Sequence, residues 1–246
     1  MPAYNAARTL ETTVQAIPPG SFDELILVDD SSHDDTVEIA RGLGITTIAL
    51  PKNRGYGGNQ KVCYQTALER DADFVVMLHP DNQYDARVIP AMIEFLRLGI
   101  CDVVFGSRIR NRRQVLSGGM PKWKYFVNRL STLGENLLLG TVLGDFHSGF
   151  RAYTREVLEV IPFDRNSDDF AFDQEFIVQA RAFGFVMGDV PVPVRYFSEA
   201  SSIDFRRSLR YGLGGMGAIG SLGLHRLGIK QDRRFEKTAP DTGRRE

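Results

Sequence analysis

The feature that most constrains this chain is a rhythm in its first 106 residues. Short runs of strand-forming apolar residues, each stopping at a polar cluster, alternate with stretches of helical spacing. Residues 25–28 are too few for a helix and end on Asp29, Asp30, Ser31 and Ser32. Residues 46–50 lead into Asn53 and a loop with Gly55, Gly57 and Gly58. Residues 73–78 run into His79-Pro80-Asp81-Asn82-Gln83, and 102–105 into Gly106-Ser107-Arg108. Between them, Leu10, Val14 and Ile17, then Val37, Ala40 and Leu43, then Ile89, Met92, Ile93 and Leu96 recur at helical spacing, and a further helix is expected from about Asn59 to Glu69. This alternation predicts an α/β fold with a mostly parallel, doubly wound sheet flanked by helices. Such sheets bind ligands in the crevice outside the carboxyl ends of their strands. Pro2-Ala3-Tyr4-Asn5 is a turn that ordinarily follows a strand, so a further strand is expected ahead of it.

The crevice is therefore where chemistry is sought. Asp81 and Gln83 offer hard oxygens and His79 a nitrogen, on alternate positions that suit one divalent ion or one diphosphate. The same residues also suit a type I turn. The loop at 53–58 has the composition of a phosphate cradle and, equally, of a plain turn.

After Arg108 the rhythm changes. Residues 109–122 read as a basic, glycine-containing mobile loop, and residues 123–139 as a helix whose Phe126, Leu130, Leu133 and Leu137 stripe is assigned to the core. A short helix follows Tyr153, another opens at Phe172, and residues 190–194 form an extended segment at an edge, because their prolines donate no hydrogen bonds. Residues 206–230 read as an amphipathic helix. Its uncharged stretch of fourteen residues rises about 21 Å, short of the ~30 Å hydrocarbon core. It suits either the headgroup region of a membrane or docking on the domain or on a second subunit. Residues 231–246 read as a disordered tail.

With 43% hydrophobic residues and a formal net charge of -1, the bulk composition supports a full core and excludes a nucleic-acid partner. Cys63 and Cys101 are in no metal-ligand spacing and read as reduced thiols. No segment spans a membrane, and the expected location is the cytoplasm, free or peripheral at the inner face of the cell membrane.

Pro2-Ala3-Tyr4-Asn5, the stretch from Val28 to Thr36, His79-Pro80-Asp81-Asn82-Gln83, Gly106-Ser107-Arg108 and the stretch from Ser148 to Tyr153 occur in one order and spacing. In these the chain, over about residues 1–205, resembles family 2 glycosyltransferases, and among them the dolichyl-phosphate mannose and glucose synthase branch. The resemblance implies a Rossmann-like GT-A catalytic domain over 1–205 and inverting transfer of a hexose from GDP-mannose or UDP-glucose to a polyprenyl phosphate. It also implies Mg²⁺ or Mn²⁺ as cofactor. Carried over by position, Pro2, Tyr4, Val28 and Asp30 hold base and ribose, with His79 and Pro80 beside them. Asp81, Gln83 and His79 meet the metal, Arg108 meets the diphosphate, and Glu175 stands near the acceptor as a catalytic carboxylate alongside Asp81. Arg195 stands for the family's late R-x-x-G-x-S-K pattern. The family's first D-x-D carboxylate is His79 here, and the Glu that usually follows P-x-Y-N is Ala6. Two other readings stay open: a soluble family 2 enzyme acting on a saccharide hydroxyl, where Glu175 or Asp173 takes the proton, and an inactive nucleotide-sugar binding protein. The oligomeric state is also open.

Overall fold

A computed structural model of the chain describes residues 1–108, 122–195 and 205–236. Its first half follows the expected rhythm: β1 (Pro2–Ala3), α1 (Leu10–Gln15), β2 (Ile26–Asp29), α2 (Thr36–Gly42), β3 (Thr46–Ala49), α3 (Gly55–Glu69), β4 (Phe74–Met77), α4 (Ile89–Arg97) and β5 (Val103–Ser107). The second half holds α5 (Lys122–Leu139), β6 (Arg151–Thr154), α6 (Arg155–Val160), α7 (Phe172–Ala182), β7 (Met187–Pro191) and α8 (Phe205–Arg226). Strands β1, β2 and β3 pair in parallel in that order, and a second sheet runs β4-β6-β5-β7. Pro2–Ala3 is itself the strand ahead of the Tyr4-Asn5 turn, in register with Val28 and Asp29.

One strand breaks the parallel pattern. β6 lies between β4 and β5 and is antiparallel to both. Its sequence, Arg-Ala-Tyr-Thr, carries no apolar run, and its buried arginine is compensated by the Ser148 carbonyl in the loop just ahead of the strand and by Asp173 of a distant helix. β7 is the edge strand beside β5, as the prolines require.

The main core gathers Tyr64 from α3, Tyr153 from β6 and Phe172 and Phe176 from α7, with the two tyrosine hydroxyls bonded at 3.1 Å. Into this core come Ala218 and Leu222 of α8. Gly214 and Gly215 let α8 sit close on α7: a Cβ on Gly215 would lie 3.2 Å from Gln174 Cγ. One face of α8, through Gly215, Ala218 and Leu222, therefore docks on the domain, while Met216 and Leu224 are exposed. Residues 231–236 are ordered against the domain as well. Phe235 is buried, and Arg234 pairs with Glu175 at 2.6 Å. The expected loop at 109–122 lies outside the described residues except for Lys122, which opens α5, and residues 237–246 lie outside them too.

The assignment of the α5 stripe to the core is overturned. Phe126, Leu130, Leu133 and Leu137 are 66–81% exposed, while Asn128, Thr132 and Glu135 of the same helix are buried. Periodicity shows that a helix has two faces; it does not show which one the domain covers.

Candidate active site

The carboxyl ends of β2 and β4 converge on α3 and α7. At the end of β2, Asp29 turns back to accept from the backbone N–H of Ser32 at 2.9 Å, and Asp30, 3% exposed, accepts from the N–H groups of Arg54 (2.6 Å) and Gly55 (3.0 Å). Asp30 thereby satisfies the orphan donors at the start of α3 and compensates the positive end of that helix. The N–H groups of Gly57 and Gly58 point to the Asp168 carbonyl. Of the two readings of 53–58 this favours the turn over the phosphate cradle: the amides of Arg54, Gly55, Gly57 and Gly58 are occupied, and the glycines form the first helical turn. Glycine is required there because a Cβ on Gly57 would meet Phe172 Cβ at 2.7 Å. Beside this turn lies a cleft of about 550 Å³ lined by Leu50, Pro51, Lys52, Asn53, Arg54 and Asp168.

At the end of β4, His79 stacks on Tyr56 with ring centroids 5.5 Å apart, and its Nε2 is 3.3 Å from the Tyr56 hydroxyl. That hydroxyl donates to Asp173 at 2.8 Å. The network assigns a proton to Nε2, giving a chain from His79 through Tyr56 to Asp173. Gly149 closes one side of the ring, since a Cβ there would sit 2.8 Å from Nε2. Burial holds the imidazole pKa below its ordinary value, against the pull of Asp81 and Asp173, so the ring is neutral at pH 7. Asp81 caps its own turn by accepting from Gln83 N–H at 3.1 Å, and Asn82 takes a positive φ of 52°. Burial pushes the Asp81 carboxyl up, partly offset by His79. The turn reading and the site reading are thus the same residues.

Asp173, 3% exposed, also accepts from Gln60 Nε2 at 3.1 Å and pairs with the buried Arg151 at 3.0 Å. Glu175, two residues on, points to the other side of α7 and is held by Ser167 N–H and Arg234, both at 2.6 Å. The carboxylate linked to His79 through Tyr56 is therefore Asp173. Arg108 binds Asp145 through Nε and Nη2 at 2.6 and 2.9 Å, a bidentate pair on a wholly buried carboxylate. Burial alone would raise that carboxyl, but Arg108 holds it well below the usual range.

Of the expected nucleotide contacts, Tyr4 is exposed beside the 29–33 turn and open to a ligand. Pro2 and Val28 are buried in the β1–β2 ladder, and the Val28 side chain is sealed in the core, so neither offers side-chain surface. Pro80 is buried and gives its carbonyl to Thr9. Arg195 is exposed and its N–H bonds the Gln83 carbonyl at 2.9 Å, which brings it alongside the turn. Tyr56 and Gln60 were missed by sequence reasoning, because they sit in a glycine loop and the first turns of a helix, with no signal beyond following Gly55.

No three His, Cys, Asp or Glu side chains among the described residues form a metal set. The donor chemistry nevertheless fits one ligand of a hard cation. Asp81 is a half-buried carboxylate with one hydrogen bond among the described residues and a pKa raised by desolvation, with the Gln83 amide next to it.

The Glycosyl transferase family 2 profile matches residues 1–161. The chain belongs to this family. As a family 2 glycosyltransferase it is 33% identical over 198 residues to the low-salt glycan biosynthesis hexosyltransferase Agl6 of Haloferax volcanii, covering 78% of this chain but only 46% of that protein. It is 26% identical over 213 residues to the UDP-N-acetylglucosamine--dolichyl-phosphate N-acetylglucosaminyltransferase of Methanococcus voltae, covering 80% and 84%. Glucosyl-3-phosphoglycerate synthase from Mycobacterium tuberculosis, solved with Mn²⁺, UDP-glucose and phosphoglyceric acid, matches with a TM-score of 0.66 at 21% identity over 94% of this chain and 79% of that one. That likeness establishes the GT-A-like α/β fold.

Proposed function

We propose that this glycosyltransferase moves a hexose, with inversion, from a nucleoside-diphosphate sugar to a polyprenyl phosphate. The observation that carries the reading is the convergence of Asp81, His79 and Asp173 at the carboxyl end of β4. The lipid-phosphate acceptor is supported by the Methanococcus voltae relative, whose name contains one. A saccharide or other soluble acceptor is the second reading, favoured by the phosphoglyceric acid bound in the solved enzyme of the same fold.

In this reading the cleft at Lys52, Asn53 and Arg54 takes the nucleoside half of the donor, with Asp30 holding the loop in shape and Tyr4 exposed at the end of the neighbouring β1. Asp81, with Gln83 and the diphosphate oxygens, would hold Mg²⁺ or Mn²⁺, which supplies positive charge to the departing nucleoside diphosphate. His79 is neutral and spends Nε2 on Tyr56, so it orients the Tyr56 hydroxyl and the turn that carries Asp81. A phosphate acceptor is already an anion and needs no strong base. Asp173, fixed by Arg151, Gln60 and Tyr56, then positions, and in the second reading it is the group that takes a hydroxyl proton. Arg108, paired with Asp145, braces the site from the end of β5.

Calorimetric titration with UDP-glucose, GDP-mannose and UDP-N-acetylglucosamine in the presence of Mn²⁺ tests the donor half. Saturable binding of one of them, weakened in Asp81→Asn, is expected. No binding of any nucleotide sugar with metal present overturns the reading.

A further inference from the structure

Helix α5 is turned inside out for a surface helix. Asn128, Thr132 and Glu135 face the domain, each at most 8% exposed. Phe126, Val127, Leu130, Leu133, Leu137 and Leu138 face outward at 47–81% exposure. At 100° per residue these six fall, with Trp123 at the amino end, in an arc of roughly 140° that contains no charged residue. A contiguous apolar face of this kind, unlike apolar residues scattered singly over a surface, marks an interaction site. An apolar face this wide in water requires a partner.

Charge says which one. Across residues 122–144 the sequence holds Lys122, Lys124 and Arg129 against a single carboxylate, Glu135, which points inward. Arg129 is exposed at the edge of the arc. A helix paired with another protein helix ordinarily flanks its seam with charges of both signs that set the partner. By the same count the positions that border the arc are Lys122 and Arg129 on one edge and Ser131 and Lys124 on the other, with no acid among them. An apolar face with a cationic edge and no anion is the pattern of a helix lying in the headgroup region of an anionic bilayer. Among the described residues no helix is long and apolar enough to cross a membrane.

The inner side of α5 leads to the site. Asn128 Nδ2 donates to Asp145 at 3.2 Å, and Glu135 Oε2 is 3.5 Å from His147 Nε2. The same 145–149 loop ends at Gly149, against the His79 ring. We propose that the outward face of α5 is a docking surface for an anionic lipid bilayer, which sets the site-bordering loop on the side from which a lipid-borne acceptor arrives. The second half of that statement rests on the proposed acceptor; the docking itself does not.

The test is flotation of the full chain with phosphatidylcholine vesicles, with and without phosphatidylglycerol, comparing wild type with the double variant Leu130→Glu and Leu137→Glu. Both leucines are exposed, so the variant is expected to keep the wild-type melting temperature and donor binding. Wild type is expected to float with the anionic vesicles, and the variant to bind them about tenfold more weakly or worse. The proposal is overturned if wild type does not float, if the variant floats equally well, or if the wild type is instead a dimer in solution that the variant converts to a monomer. Transfer to a detergent-dispersed polyprenyl phosphate, measured on the same samples, separates the two claims. Flotation without lipid transfer sinks the acceptor and leaves the surface standing, and transfer without flotation does the reverse.

Discussion

Two carboxylates that look alike in the sequence have opposite fates. Asp81 is half-buried with little counter-charge, and its raised pKa means that ionising it costs folding free energy once the pH exceeds its unfolded value. Asp81→Asn is therefore expected to melt no lower than wild type at pH 7 while losing transfer by about tenfold or more, a pairing of melt and rate that a purely structural Asp81 does not give. Glu175, by contrast, serves Arg234 and Ser167. Glu175→Gln is expected to cost about 1 kcal/mol of stability, read by chemical denaturation, and to leave the transfer rate within about threefold. A larger loss of rate than of stability would return Glu175 to the chemistry. The sequence already marked Asp81 and His79, because a strand end and a polar run are local facts. It could not mark Tyr56 and Gln60, nor rank Asp173 above Glu175, because which side of α7 faces β4 is decided by the packing of Phe172 and Phe176 in a core assembled from distant segments.

Elements were legible where their own residues determine them. β2 through β5 and the helices between them follow from apolar runs and helical spacing, whereas β6 carries an arginine whose charge partner, Asp173, no window around it contains. The turn that opens α3 is similar: glycines at 55, 57 and 58 announce a special backbone, but the acceptors that occupy it are Asp30 and Asp168. Gly57→Ala would drive a methyl into the Ser167 carbonyl and Phe172 Cβ. The expected outcome is a loss of about 2 kcal/mol or more, with weakened donor binding because the adjoining cleft shifts. An alanine variant as stable as wild type would contradict the tight seat described for α3. For α5 the spacing was read correctly and the side was not, since a hydrophobic stripe carries no sign of whether protein or lipid covers it.

At the scale of the molecule, a buried polar seam joins α5 to the site. Burial, with Asp145 nearby, pushes the Glu135 carboxyl up to about 8, and burial lowers the His147 imidazole to about 4. The signs follow from linkage. A carboxyl with its folded pKa raised from about 4.3 weakens the fold as pH climbs from that value through 8, and an imidazole lowered from about 6.5 weakens it as pH falls from there through 4. Glu135→Gln is thus expected to raise the melting temperature at pH 8 by roughly 4 °C or more, with the difference closing toward pH 4. A difference that does not vary with pH would mean that Glu135 is ionised or paired in the folded state. The site that this seam supports is tested most directly by following label from a radioactive nucleotide sugar, with polyprenyl phosphate and Mn²⁺ present, in wild type and Asp81→Asn. Label entering the organic phase with wild type and not with the variant is the predicted result. Label confined to the aqueous phase, or an Asp81→Asn enzyme as active as wild type, would contradict the account.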